Sequence, residues 1–119
     1  MIGEFGLGVR LRQCLQALHR RIEAGPGHST PAQRRAAIEG GSIEPLLDEY
    51  LQRVRECAVN VTNEGIARLR GAGYSEDELF ELTIAAALGA ASERLGAGLR
   101  ALKAAYEESE EPPQCDSAN

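Results

Sequence analysis

The chain has no tryptophan, and phenylalanine and tyrosine together make up only 4% of its 119 residues. A chain that is 43% hydrophobic without large rings builds its core from leucine, isoleucine, valine and alanine, the palette of a helical protein. Cysteine is scarce and odd in number. Cys14, Cys57 and Cys115 are far apart, which reads as reduced thiols in a cytoplasmic protein rather than as a disulfide framework. There are two histidines, His19 and His28, with no carboxylate at ligand spacing in the sequence, so neither a metal nor a cofactor is expected. A basic excess is also missing: residues 107–119 (EESEEPPQCDSAN) hold five acids and no base, and the rest of the chain is balanced. The formal charge of −5 therefore belongs to the C-terminal stretch, which argues against nucleic acid as a partner. No apolar run reaches the roughly 20 residues of a membrane span. No signal peptide is indicated, and the opening MIGEFG reads as a start followed by a cloning remnant. The expected organisation is one helical domain over residues 1–106 and a disordered acidic tail over 107–119.

The stretch from Tyr74 to Leu102 is the one around which the rest is organised. Ser75 and Glu78 form a capping box, and Glu76, Asp77 and Glu78 occupy the first turn, where the helix dipole favours negative charge. From Leu82 to Ser92 there is no charged residue, and Leu82, Ile84, Leu88 and the intervening alanines leave no polar side. A helix apolar all round is buried all round. Beyond it the apolar positions narrow to Leu95, Leu99, Leu102 and Tyr106, while Gly96 and Gly98 weaken the helix or let a neighbour approach. The fold class is all-α: a bundle of four to five helices around a long, Ala-rich central helix over about residues 76–105.

Leu7, Leu11, Cys14, Leu15, Leu18 and Ile22 recur at helical spacing and predict a first helix from about Leu7 to Ala24, stopped by Gly25-Pro26-Gly27. Thr30, Pro31 and Gln33 supply a cap, a first-turn proline and a capping-box partner for a short second helix that Gly40 and Gly41 end. Its thin apolar content, Ala32, Ala36, Ala37 and Ile38, predicts a peripheral turn or two. Ser42 and Pro45 open a third helix carrying Leu46, Leu47, Tyr50, Leu51, Val54, Ala58 and Val61 on one stripe. Across Val59-Asn60-Val61-Thr62 either a kink or a new helix capped by Thr62 and running to Arg70 is expected. Four or five modest helices surround a central one only incompletely, so the Leu82–Ser92 segment is expected to be covered by further copies of the chain.

Cys57 to Leu82, with the run Arg68-Leu69-Arg70-Gly71-Ala72-Gly73-Tyr74-Ser75-Glu76-Asp77-Glu78-Leu79 followed by Thr83 to Ala91, resembles the alkylhydroperoxidase D and carboxymuconolactone decarboxylase superfamily over about residues 44–103. The resemblance implies an all-helical fold assembled as a trimer or a multiple of one. Redox members carry Cys-x-x-Cys and, four residues later, a histidine that works with a glutamate from the preceding helix. Here the histidine position is Gly65 and the cysteine positions are Ala58 and Val61. The histidine on which the decarboxylases rely is missing at the same place. Cys57 stands one residue off the first cysteine position, a rotation of about 100° on a helix.

What remains as candidate chemistry is Cys57 as a solitary thiol, with Glu56 and Glu64 as acid–base groups. Asn60, Thr62 and Asn63 are near enough in sequence to line a polar pocket with them; the alternative is a small core cysteine and solvated cap residues. Glu81 and Glu93 are expected to pair with arginine across an interface or to face water. Arg53, Arg55, Arg68 and Arg70 are expected to form ion pairs on a solvated face. Three functions are open: an oligomeric scaffold or small-molecule-binding protein without catalysis, a divergent thiol peroxidase or acid–base enzyme, and an accessory partner of another polypeptide through the acidic tail.

Overall fold

The computed structural model describes the backbone of residues 2–110 and the side chains of residues 8–107. Cys115 and the last acids of the tail lie outside the described residues. Within them the chain is all-α: α1 (Ile2–Ala24), α2 (Pro31–Glu39), α3 (Pro45–Glu56), a 3₁₀ turn (Ala58–Asn60), α4 (Asn63–Gly71) and α5 (Glu76–Glu110). None of these helices is long and apolar enough to cross a membrane. The first helix begins five residues earlier than its periodicity predicts. The last continues to Glu110, four residues into the stretch read as a tail.

The helix boundaries follow from local chemistry. Thr30 accepts from the Gln33 amide at 3.0 Å while the Gln33 side chain accepts from the Thr30 amide at 2.9 Å, so the capping box of α2 is complete. Gly40 closes the helix at φ +76°, a left-handed conformation that glycine adopts without Cβ strain, and its amide returns to the Ala36 and Ala37 carbonyls. Ser75 and Glu78 reciprocate in the same way at the start of α5, at 2.9 and 3.1 Å. The predicted role of Ser42 is corrected: Glu44 holds the cap position of α3, and Ser42 donates instead to Asp48 at 2.6 Å. Of the two alternatives at residues 59–62, the chain takes the new helix. Cys57 leaves helical geometry at φ −154°, and Thr62 caps α4 by accepting from the Gly65 amide.

The core lies on one side of α5. Leu79, Leu82, Ala85 and Ala86 pack with Ala37 and Ile38 of α2, Leu47 and Leu51 of α3, and Leu69 of α4. α2 is therefore not the peripheral turn its composition predicts; it makes the most extensive contact with α5 of any helix. Small residues are the reason. A Cβ placed on Gly89 would come 1.9 Å from the Ile38 carbonyl oxygen, so glycine in α5 lets the end of α2 lie directly on the helix backbone. Arg55 completes the join: its Nη1 donates to the Ile38 carbonyl at 3.1 Å, and its Nη2 meets Glu93 at 2.6 Å. Arg94 donates to the Arg55 carbonyl.

The opposite side of α5 is bare. Phe80, Ile84, Ala87 and Ala91 are exposed, Phe80 to 65%. Together with half-buried Leu95 and exposed Leu102 they fall within a narrow sector of the helix surface at 3.6 residues per turn. No charge interrupts this stripe over about 33 Å. As expected, the Leu82–Ser92 segment is covered only in part among the described residues: α2 and α3 cover one face, α1 borders the edge at Ile84 and Ser92, and Phe80, Ala87 and Ala91 stay exposed. The molecule measures 61 × 33 × 20 Å with a radius of gyration of 19.0 Å, against about 13.5 Å for a compact domain of this length.

Candidate functional site

The first place to consider is the segment between α3 and α4, which carries Glu56, Cys57 and Glu64. The end of α3 leaves Cys57 exposed, and its sulfur accepts from Asn60 Nδ2 at 3.2 Å. Glu56 is exposed and accepts from Gln52 Nε2 at 2.5 Å, one turn earlier on α3. Glu64 sits exposed in the first turn of α4, where its charge complements the helix dipole. No histidine, lysine or arginine hydrogen-bonds the Cys57 sulfur among the described residues, so the environment that ordinarily activates a thiolate is missing. The buried-cysteine alternative fails as well, because the break after Glu56 turns the residue outward.

A cavity does lie beneath this segment, but none of the three residues lines it. Its walls come from α3 (Glu49, Tyr50, Arg53) and from the start of α4 (Val61, Gly65, Arg68), and its volume is about 20 Å³, room for a single water. Glu49 and Arg53 are paired at 3.2 Å, and the Tyr50 hydroxyl meets Thr83 Oγ1 at 2.7 Å. The basic strip resolves into pairs within the chain: Arg53 with Glu49, Arg55 with Glu93, and Arg70 with Glu76 at 3.2 Å. Arg68 has no acidic partner among the described residues and borders the cavity.

The most strongly perturbed carboxylate is elsewhere. Glu81 projects from α5 into the Gly-Pro-Gly loop between α1 and α2. It accepts from the amides of His28 and Ser29 at 2.8 Å each and from the Ser29 hydroxyl at 2.6 Å. His28 Nδ1 lies 3.3 Å from the same carboxylate and its Nε2 lies 3.6 Å from Asp77. Arg34, only 3% exposed, stands 3.6 Å from Glu81 and donates to the carbonyls of Ser29 at 2.5 Å, Gly25 at 2.6 Å and Glu23 at 3.2 Å. Burial alone would raise the Glu81 carboxyl. The bonds from Ser29, from the two loop amides and from His28 outweigh it and bring it down to about 2. A carboxylate held there is a poor proton acceptor at neutral pH. The cluster is a latch that fastens the loop to α5 and not acid–base machinery. The sequence suggests an interface or water for Glu81; the partner is within the chain, and the only hint is an acid directly before an uncharged segment.

A third place is the groove between α1 and α5. His19 Nε2 is 2.9 Å from Ser92 Oγ, and Arg12, Leu15, Gln16 and Arg20 line a cleft of about 400 Å³ around them. Among the described residues no group of three or more histidine, cysteine or acidic side chains is arranged to hold a metal ion. Comparison with protein-family models, with curated proteins and with solved structures finds no match.

Proposed function

We propose that this protein is a self-associating helical scaffold of the alkylhydroperoxidase D type that has lost that superfamily's redox chemistry. The observation that carries the reading is the uncharged face of α5, on which Phe80, Ala87 and Ala91 are exposed among the described residues. A monomer of 12.8 kDa packed compactly exposes about 6300 Å². This chain exposes 8221 Å². The excess reflects an elongated chain, of whose surface this face is a part.

The small cavity supports the ancestry. Val61 and Gly65, which the resemblance sets at the second cysteine and the histidine, border it together with Glu49 from the preceding helix. On that resemblance, an isopropyl group and a hydrogen stand where the family carries its second cysteine and its histidine. The alternative, a single-cysteine peroxidase, would use Cys57. That thiol faces solvent away from this cavity, with an asparagine as its hydrogen-bond partner.

Native mass by light scattering, run beside a hydroperoxide-consumption assay on wild type and Cys57→Ala, tests the reading. A trimer or other multiple with no turnover is the expected result. A monomer at every concentration would reject the scaffold, and turnover lost in Cys57→Ala would replace it with an enzyme.

A further inference from the structure

α1 and α5 share a stretch that is basic on both helices. Between Leu7 and Ile22 the chain has Arg10, Arg12, Arg20 and Arg21, and from Arg94 to Tyr106 it has Arg94, Arg100 and Lys103, with no acid in either run. The six other basic residues share the rest of the chain with all 18 acids. Ile22 and Ile84 line one small pocket and His19 reaches Ser92, so α1 runs antiparallel to α5, and residues before His19 stand level with residues after Ser92. The two basic runs therefore lie side by side. All seven side chains are exposed, and among the described residues none has an ion-pair partner, whereas five of the other six do.

Three of the seven border one cleft. Arg12, Gln16 and Arg20, each one turn from the next, form the α1 edge of the groove of about 400 Å³, with Leu15 and the His19–Ser92 hydrogen bond beside them. Arg100 comes from α5. Its Nη1 lies 3.3 Å from the point where a Cβ on Gly96 would sit, so the guanidinium folds back over the bare backbone of Gly96 toward Ser92. Gly96 is one turn past Ser92 and so stands about level with Leu15, between Arg12 and Arg20. Guanidinium groups gathered in this way repel one another. No carboxylate among the described residues pairs with them, and Glu93, beside Ser92 in α5, is held by Arg55. A bound anion relieves the repulsion.

The lining names the class of anion. Arginine presents paired donors that match the oxygens of phosphate, and Arg12 and Arg20, about 12 Å apart along the helix, span more than a single charge. Gln16, His19 and Ser92 add neutral polar partners, and the volume suits a small molecule. We propose that the α1–α5 cleft binds a small phosphate-bearing anion with two or more negative charges, held by Arg12, Arg20 and Arg100. This site goes beyond the scaffold reading and does not depend on self-association.

The test is isothermal titration of the full chain with inorganic pyrophosphate and with inorganic phosphate. One site per chain is expected, with pyrophosphate bound about tenfold more tightly and both weakened severalfold between about 50 and 300 mM salt. Arg12→Gln with Arg20→Gln, and Arg100→Gln alone, should each weaken pyrophosphate binding about tenfold or more. Arg12→Lys with Arg20→Lys, which keeps the charge but not the fork of donors, should lose less. Arg10→Gln with Arg21→Gln removes the same charge from α1 outside the cleft and should change affinity by less than about twofold. Circular dichroism checks that each variant retains its helix content. Vesicles containing phosphatidate separate a lipid headgroup from a free phosphate: binding that pyrophosphate displaces and that Arg12→Gln with Arg20→Gln abolishes would support the same site and make the headgroup its source. Equal losses in the cleft pair and the control pair would overturn the site in favour of diffuse attraction to a basic surface. Failure of both probes to bind would overturn it as well. So would binding that appears only in Glu107→Gln with Glu108→Gln, which would give the cleft to the chain's own acidic end.

Discussion

Glu81 illustrates how one residue joins distant parts of the chain. Its carboxylate receives two amides, a hydroxyl and a histidine from the loop before α2, beside a guanidinium that is itself saturated by carbonyls. With its pKa brought from 4.5 to about 2, the folded state holds the proton less well than the unfolded chain, so stability is present above pH 4.5 and falls as pH drops toward 2. Roughly 3 kcal/mol is at stake over that window. Glu81→Gln should remove most of that acid sensitivity and cost about 2 kcal/mol at pH 7, because one oxygen is exchanged for a donor facing donors; urea melts at pH 2.5, 4 and 7 measure it. Tyr74 acts at the other extreme. Burial and its hydrogen bond to Glu44 push its hydroxyl up to about 12, so its contribution is lost as pH rises from 10 toward 12. Gly89→Ala should destabilise by about 3 kcal/mol or more, since its Cβ would sit 1.9 Å from the Ile38 carbonyl and neither helix backbone can yield cheaply. An equilibrium melt close to that of wild type would show that α2 does not lie where the structure has it.

At the scale of elements, the caps were legible and the packing was not. The Thr30/Gln33 and Ser75/Glu78 boxes are local grammar, set by residues three apart, and both form as their sequences predict. Thr62 does the same for α4. Ser42 was misleading because it stands three residues before Pro45, too far back to cap the helix, and its hydroxyl found Asp48. The rank of α2 was illegible for a different reason. Its apolar residues are few and small, and their value comes from how closely Gly89 lets them approach, a property of the pair of helices and not of either one. Thr30→Ala should therefore cost more than an ordinary cap on a peripheral helix. The cap itself is worth about 1 kcal/mol, and fraying at residues 31–34 would also release Arg34 from the Glu81 latch. The check is whether Thr30→Ala and Glu81→Gln together destabilise by less than the sum of their separate effects, as two breaks in one network must.

For the whole molecule, the relevant fact is that α5 is covered on one face and bare on the other. Phe80→Asp with Ala91→Asp should leave the melting temperature of the monomer nearly unchanged, because both side chains are exposed there, while weakening association by at least about tenfold. Sedimentation and thermal melts on the same samples separate the two effects. A variant that unfolds instead would mean that these side chains are covered in the free chain. The candidate catalytic residues are scattered at this scale. Cys57, Glu56 and Glu64 are neighbours in sequence, but the chain breaks its helix between them, and each reaches solvent separately.

The amino-acid sequence by itself determined the helical class, most of the caps and breaks, and the balance of charge that sets the acidic end apart from a neutral body. These depend on interactions within a few residues, which composition and spacing record directly. The tertiary structure alone decided which side of α5 is covered, that α2 is its principal partner, and that Glu81 and Arg34 close on one loop. Those outcomes depend on helix approach distances and on donors 50 residues away in the chain, and no local pattern encodes either.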